Sequence, residues 1–345
     1  MGHPEPESAT LATLTIAAEQ AGATLAALVR QLLPQTSWSR ARALCREGRV
    51  EVDGRIATDP ALRPGDGSRV ELHLAGSAAR RGPELLVHAD ADLAVVRKPA
   101  GILTVPFEGG ERDTLLALAR VELRRREAAQ SRALSARSPR RGGGEQAGRR
   151  GATHGGLTLR AVQRLDKETS GLVVFARTVA AQRSLQEQLA HHSLLRRYLA
   201  IAHGEVADAS HESWLVEDRG DGLRGSWGVF RPARGTPPEA ARLAITHVAV
   251  VERLRGATLV ACELETGRQH QIRVHLAEAG HPLVGETVYI RGYRGPRHGA
   301  PRLMLHAAAL GFRHPRGGKT LFFEEPAPAD FTTVLERLRP AGRGG

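Results

Sequence analysis

Cysteine is nearly absent from this chain: Cys45 and Cys262 are the only two in 345 residues. That excludes a disulfide framework and a cysteine-built metal cluster. No run approaches the roughly 18 unbroken apolar residues of a membrane span. The opening MGHPEPESAT has Pro and Glu where a secretory signal needs a basic residue and an apolar run. No Gly-rich loop ends in Gly-Lys-Ser/Thr, and no Gly-x-Gly-x-x-Gly follows a strand, so nucleotide cofactors have no cradle. No Gly-x-Ser-x-Gly elbow appears. His270 and His275 are five apart rather than four, so they do not stack as a ligand pair on one helical face. The expectation is a soluble, cytoplasmic protein without membrane contact, metal or cofactor.

Lysine is scarce too. Only Lys98, Lys167 and Lys319 interrupt the arginines, yet Lys plus Arg is 49 against 37 acidic residues, a net charge of +12. Such a surface attracts polyanions, of which nucleic acid is the commonest in cytoplasm. The length suits about two domains.

Residues 24–75 read as a small α+β unit. TLAALVRQLLP carries apolar residues at helical spacing up to Pro34, and SWSRARALCREG is a second short helix with Ser39 as N-cap and Gly48 as C-cap. VEVDGR and SRVELHL follow as alternating strands. Arg40, Arg42 and Arg49 stand among the arginines clustered here, a surface suited to phosphates. Residues 76–83 are a linker by composition, and 84–335 form the larger domain.

Between 121 and 160 ten arginines face three glutamates, a net of +7, and periodicity fades after Leu123. The insertion 121–158 is therefore expected to be a disordered basic loop. Elsewhere strands joined by hairpins, one turning at Arg255–Gly256, alternate irregularly with helices. One such helix is GRQHQIRVHLAEAG, carrying both Arg268 and Arg273, and a last one has Asp330 as its N-cap. The pattern is α+β.

Three segments set polar groups inside apolar strands. In QRLDKETSGLVVF, Asp166 either caps a turn or is an enclosed carboxylate between basic residues, able to act as nucleophile. An Arg of LETGRQHQIRVHL can pair with it. In RRYLAIAHG, Tyr198 alternates with apolar neighbours.

RLDKETSGL resembles the signature around the catalytic aspartate of the RluA-like family of pseudouridine synthases. The resemblance continues in order through VVRKPAGILTVP, RRYLAIAHG, AITH, LETGRQHQIRVHL, HPLVGETVY and LMLHAAALGFRHP, across roughly residues 85–335. The N-terminal unit resembles the αL RNA-binding fold that many members carry. The resemblance implies a mixed, mainly antiparallel sheet around an RNA cleft. It implies Asp166 as nucleophile, Tyr198 as the phenol stacking on the target uracil and a candidate base, and Arg273 as the basic partner of the aspartate. Arg164 would fill the gap left in the RNA stack. Lys167, Thr169, Arg268 and His270, within the same motifs, are expected RNA contacts, with Arg40, Arg42 and Arg49 in the N-terminal unit. Two positions depart from the family pattern: Gln163 stands where His is usual, and Glu286 where Asp is usual.

The expected activity is isomerisation of uridine to pseudouridine in structured RNA, by a monomer. Large-subunit ribosomal RNA is the favoured substrate and transfer RNA the alternative. A non-catalytic RNA-binding assembly factor, or a ribosyl hydrolase releasing free uracil, are the readings from other classes.

Overall fold

A computed structural model describes residues 10–20, 22–46, 48–73, 85–107, 114–137, 158–232 and 235–340. The expected linker 76–83 lies outside them. The chain divides into two compact units, Met1–Glu84 and Leu85–Gly345.

The first unit contains β1 (Thr10–Thr15), α1 (Leu25–Leu32), α2 (Trp38–Arg46), β2 (Val50–Val52), β3 (Arg55–Ile56) and β4 (Arg69–His73). Its sheet has the order β1-β4-β2-β3, and β1 is a strand with no counterpart in the sequence reading. Leu25, Leu28, Val29, Leu44, Val50 and Leu72 pack into its core. Thr24 caps α1 by accepting from the Ala27 N–H. α2 is capped by Ser37, whose Oγ accepts from Arg40 N at 3.2 Å, rather than by Ser39. Gly48 closes it with φ +65°, donating to Cys45 O at 2.8 Å while Arg49 N reaches Leu44 O.

The second unit opens with β5 (Leu86–Ala89), β6 (Leu93–Lys98), α3 (Leu115–Arg137), β7 (Arg160–Ala161), β8 (Ser170–Ala176) and α4 (Val179–Ala190). It continues with β9 (Leu195–His203), β10 (Ala209–Val216), β11 (Gly225–Ser226), β12 (Arg242–Leu254) and β13 (Ala257–Leu264). α5 (Gln271–Glu278), β14 (Leu305–Arg313), β15 (Thr320–Glu324) and α6 (Ala329–Leu338) complete it. Eleven strands form one sheet, ordered β11-β10-β12-β13-β9-β14-β8-β6-β5, with β15 on β14 and β7 on β8. Among the named strands every pairing is antiparallel except β8 with β14. This is the mixed, mainly antiparallel α+β architecture the motifs implied.

Register explains how distant segments meet. Lys98 pairs with Gly171, Gly171 with Ala307, Ala307 with Tyr198, and Tyr198 with Cys262. One row of the sheet thus carries both the buried lysine and the tyrosine. Gly171 is required there: its φ is +117°, and a Cβ would lie 2.2 Å from Ala307 O.

Three local expectations are corrected. Residues 121–137 are not a loop but the continuation of α3. Leu115, Ala119 and Leu123, four apart, anchor its first turns in the core, and the Arg, Ala, Leu and Glu beyond them are strong helix formers needing no buried face. Residues 138–157 lie outside the described residues. Asp330 is not a cap: Pro328 holds that position, and Asp330 instead pairs with Arg302. Arg268 precedes α5 rather than lying on it, since helical structure begins at Gln271.

Candidate active site

Asp166 occupies a turn just before β8, closed by Thr169 N donating to Asp166 O at 3.1 Å. Three groups fix this turn. Lys98 is 1% exposed, and its Nζ donates to the carbonyls of Lys167 (2.7 Å), Thr169 (2.8 Å) and Pro99 (3.2 Å). Three acceptors match the three protons of an ammonium. Burial pushes the Lys98 pKa down to about 8, against the opposing pull of Asp166 and Glu168. Thr104 accepts from Leu165 N at 3.0 Å and donates to Leu165 O at 2.9 Å. Arg302, bound to Asp330 of α6, also reaches Ser170 Oγ and the Glu168 carbonyl.

In front of the turn opens a cleft of about 1080 Å³, whose wall includes Asp166, Tyr198, Arg164, Arg196, Arg268 and Arg273. The Asp166 side chain is 24% exposed. Its nearest basic groups are the Arg273 guanidinium, with Nη1 at 3.5 Å, and the His270 imidazole, with Nε2 at 3.9 Å. The stronger anchor of Arg273 lies elsewhere: its Nε and Nη2 donate to the two oxygens of Glu286 at 2.8 and 2.7 Å. Glu286 is buried and also accepts from the N–H groups of Thr287, Val288 and Tyr289. Burial opposes both charges. The hydrogen bonds and mutual attraction of the pair outweigh it, holding Arg273 above and Glu286 below their ordinary pKa values. Glu286 therefore fixes the guanidinium and leaves one nitrogen for Asp166.

Gln271 builds the entrance to α5. Its carbonyl accepts from Thr266 Oγ1 and Arg268 N, and its amide donates to Ile245 O and Thr246 Oγ1. His270 precedes it in the left-handed region, φ +59°, with Nδ1 2.7 Å from the Tyr289 hydroxyl. Burial lowers the His270 pKa, with Asp166 opposing.

Tyr198 is buried on β9, and burial pushes its phenol up to about 12. It is thus a neutral ring at physiological pH, poorly suited to removing a proton as phenolate. Beside it Arg196 donates to Leu264 O and Glu265 O.

Of the expected RNA contacts in this unit, Arg164, Lys167 and Arg268 are exposed in the cleft wall, with His270 half-buried there. Thr169 is different. It is 1% exposed, absent from the cleft wall, and its hydroxyl is buried. Arg40, Arg42 and Arg49 belong to the other unit; the first two are exposed, while Arg49 is half-buried and donates to His73 O. Sequence reasoning missed the roles of Thr104, Arg196, Arg302 and Glu286, and noted Lys98 only as a rare lysine. Groups of three side chains with metal-ligand spacing occur at Glu51, Glu71 and His73 and at Asp90, Asp92 and His314; neither group lines the cleft. Among the described residues no helix is long and apolar enough to cross a membrane.

The family described as RNA pseudouridylate synthase matches residues 92–278, and the S4 domain matches residues 24–70. A Neisseria meningitidis serogroup A protein named ribosomal large subunit pseudouridine synthase D is 36% identical, over 94% of this chain and 81% of that protein. A protein of the same name from Pseudomonas aeruginosa is 33% identical over 93% of each. The solved human RNA pseudouridylate synthase domain containing 4 shares the fold, with a TM-score of 0.54 at 21% identity, over 76% of this chain and 94% of that one. A partly exposed carboxylate facing an arginine-lined cleft, and relatives matched over most of their length, agree: the chain belongs to the RNA pseudouridylate synthase family and is an RNA-modifying isomerase.

Proposed function

We propose that the chain converts a uridine of large-subunit ribosomal RNA to pseudouridine, with Asp166 as the reacting carboxylate. The observation that carries this assignment is the geometry of Asp166: a partly exposed carboxylate on a rigid turn, opening into an arginine-lined cleft. The ribosomal substrate is supported by the names of the relatives and by the S4 match.

The reaction breaks the N1–C1′ bond of uridine, turns the uracil, and joins C5 to C1′. The C5 hydrogen leaves as a proton and N1 gains one, so no electrons are exchanged. Departure of the base develops positive charge on the ribose, which an ionised carboxylate stabilises or captures. Arg273 orients Asp166 through Nη1, while its Nε and Nη2 are held by Glu286. Asp166 is thereby steered without being neutralised. The target base leaves its stack at a cost of a few kcal/mol. The Tyr198 ring receives it, and Arg164, exposed at the cleft wall, fills the vacated space. Arg268, Lys167 and His270 face the backbone. A cytoplasmic location fits this reading, and one copy of the chain supplies every group named, which suits a monomer.

Tritium release from RNA labelled at uridine C5 tests this, because that hydrogen is lost only when the new carbon bond forms. Large-subunit ribosomal RNA and bulk transfer RNA are offered separately to wild type and Asp166→Asn. Release from ribosomal RNA that disappears in the variant is expected. Release from transfer RNA alone overturns the substrate; full release by Asp166→Asn overturns the carboxylate's role.

A further inference from the structure

The two faces of α2 differ sharply. Ala41, Leu44 and Cys45 enter the core of the N-terminal unit. Trp38, Arg42 and Arg46 are four residues apart, all exposed, and so share one outward stripe. The chain has only three tryptophans, yet Trp38 is 46% exposed. From α1, the Arg30 guanidinium lies 4.6 Å from the indole centroid, tied back by its Nε to Thr36 O at 3.0 Å. The Arg42 guanidinium lies 5.8 Å from the same ring. Residues 30–49 hold five arginines and one acidic residue, Glu47.

Arginines alone serve the phosphates of any duplex. An indole offers phosphate a single N–H donor; its larger asset is a π-face, and a base presents its own face only when unpaired. The surrounding charge of one sign favours a polyanion over an apolar protein face. We propose that Trp38 stacks on an unpaired nucleotide of the substrate RNA while Arg42 and Arg46 hold the adjoining phosphates. The N-terminal unit then reads a loop, bulge or single strand instead of a continuous duplex. This rests on the RNA-modifying reading above and narrows its substrate to RNA with an unpaired element outside the target uridine.

The test uses the full chain carrying Trp214→Phe and Trp227→Phe, so that Trp38 is the sole tryptophan. It is titrated with a uridine-containing ribosomal stem-loop, a fully paired duplex and inorganic polyphosphate. The stem-loop is expected to quench the emission, and the duplex and polyphosphate to leave it unchanged. Trp38→Ala is expected to weaken stem-loop binding about tenfold with the salt dependence intact. Trp38→Phe, which keeps a ring, should retain most of the affinity. Arg42→Gln should instead lower the slope of log K against log salt by about one. Unchanged emission with the stem-loop, equal quenching by polyphosphate, or wild-type affinity in Trp38→Ala would each overturn the proposal. Tritium release from the same stem-loop separates the two readings. Quenching without release sinks the isomerase assignment alone, and release without quenching sinks the stacking assignment alone.

Discussion

The turn carrying Asp166 and the outward face of α2 are both rich in cations, but they deploy them in opposite ways. The three cations that brace the turn are buried and bound: Lys98 meets three carbonyls, Arg273 a bidentate carboxylate, and Arg302 the Asp330 carboxylate. On α2, Arg42 and Arg46 stand exposed beside an exposed indole. A reacting carboxylate needs its surroundings fixed before substrate arrives, because reorganisation during the reaction raises the barrier. A surface that grips RNA needs charges free to meet phosphates. Substitutions at the turn should therefore act on turnover and stability, and those on α2 on affinity and its salt dependence.

The largest expected effect is at Asp166. Asp166→Asn preserves shape and removes the charge, so single-turnover rates should fall at least about a thousandfold, with RNA affinity measured by filter binding nearly unchanged. A comparable loss of affinity would break the division between the two regions. Glu286→Gln comes next. Arg273 would keep its place near Asp166 but lose its charged anchor, and removing one partner of a buried pair costs about 3–5 kcal/mol. We expect kcat to fall about a hundredfold with KM little altered, and Glu286→Asp, which keeps the charge, to recover most of the rate. On α2, the double substitution Arg42→Gln and Arg46→Gln should reduce the salt slope of RNA binding by about two and leave kcat intact at saturating RNA.

The same division governs what could be read from the sequence. Strands β8, β9, β12 and β13 are visible because their alternation or continuous apolar runs match their burial. Asp166 is visible because a polar turn interrupts them. Arg273 stands out through its motif. Glu286 looks only like a departure from pattern, since its partner is 13 residues away and the contact depends on how the segment after α5 folds back. Lys98 and Thr104 hold the turn through backbone carbonyls and an N–H, which leave no trace in side-chain patterning. The α3 extension is missed for another reason: from Arg124 to Ser131 it buries little, so periodicity carries no signal there, although arginine itself favours helix.

The smallest effect is also the most particular to the turn. Lys98 has a folded pKa of about 8, below its ordinary 10.5, because burial penalises the ammonium. The unfolded chain therefore binds more protons than the native one between these values. Across that window this group makes the native state more stable as pH rises, by at most about 1.4 kcal/mol per unit. Below pH 8 both states are protonated and the contribution is flat. Lys98→Met removes the titration and leaves three carbonyls without their donor, which should lower stability by about 3 kcal/mol at pH 7. Urea midpoints for wild type and variant at pH 7, 8.5 and 9.5 isolate the lysine, because all other titrations are shared. The stability difference between the two should widen with pH in favour of wild type. A constant difference would mean that the carbonyl cage holds Lys98 charged throughout, and that the turn is rigid without any cost in proton affinity.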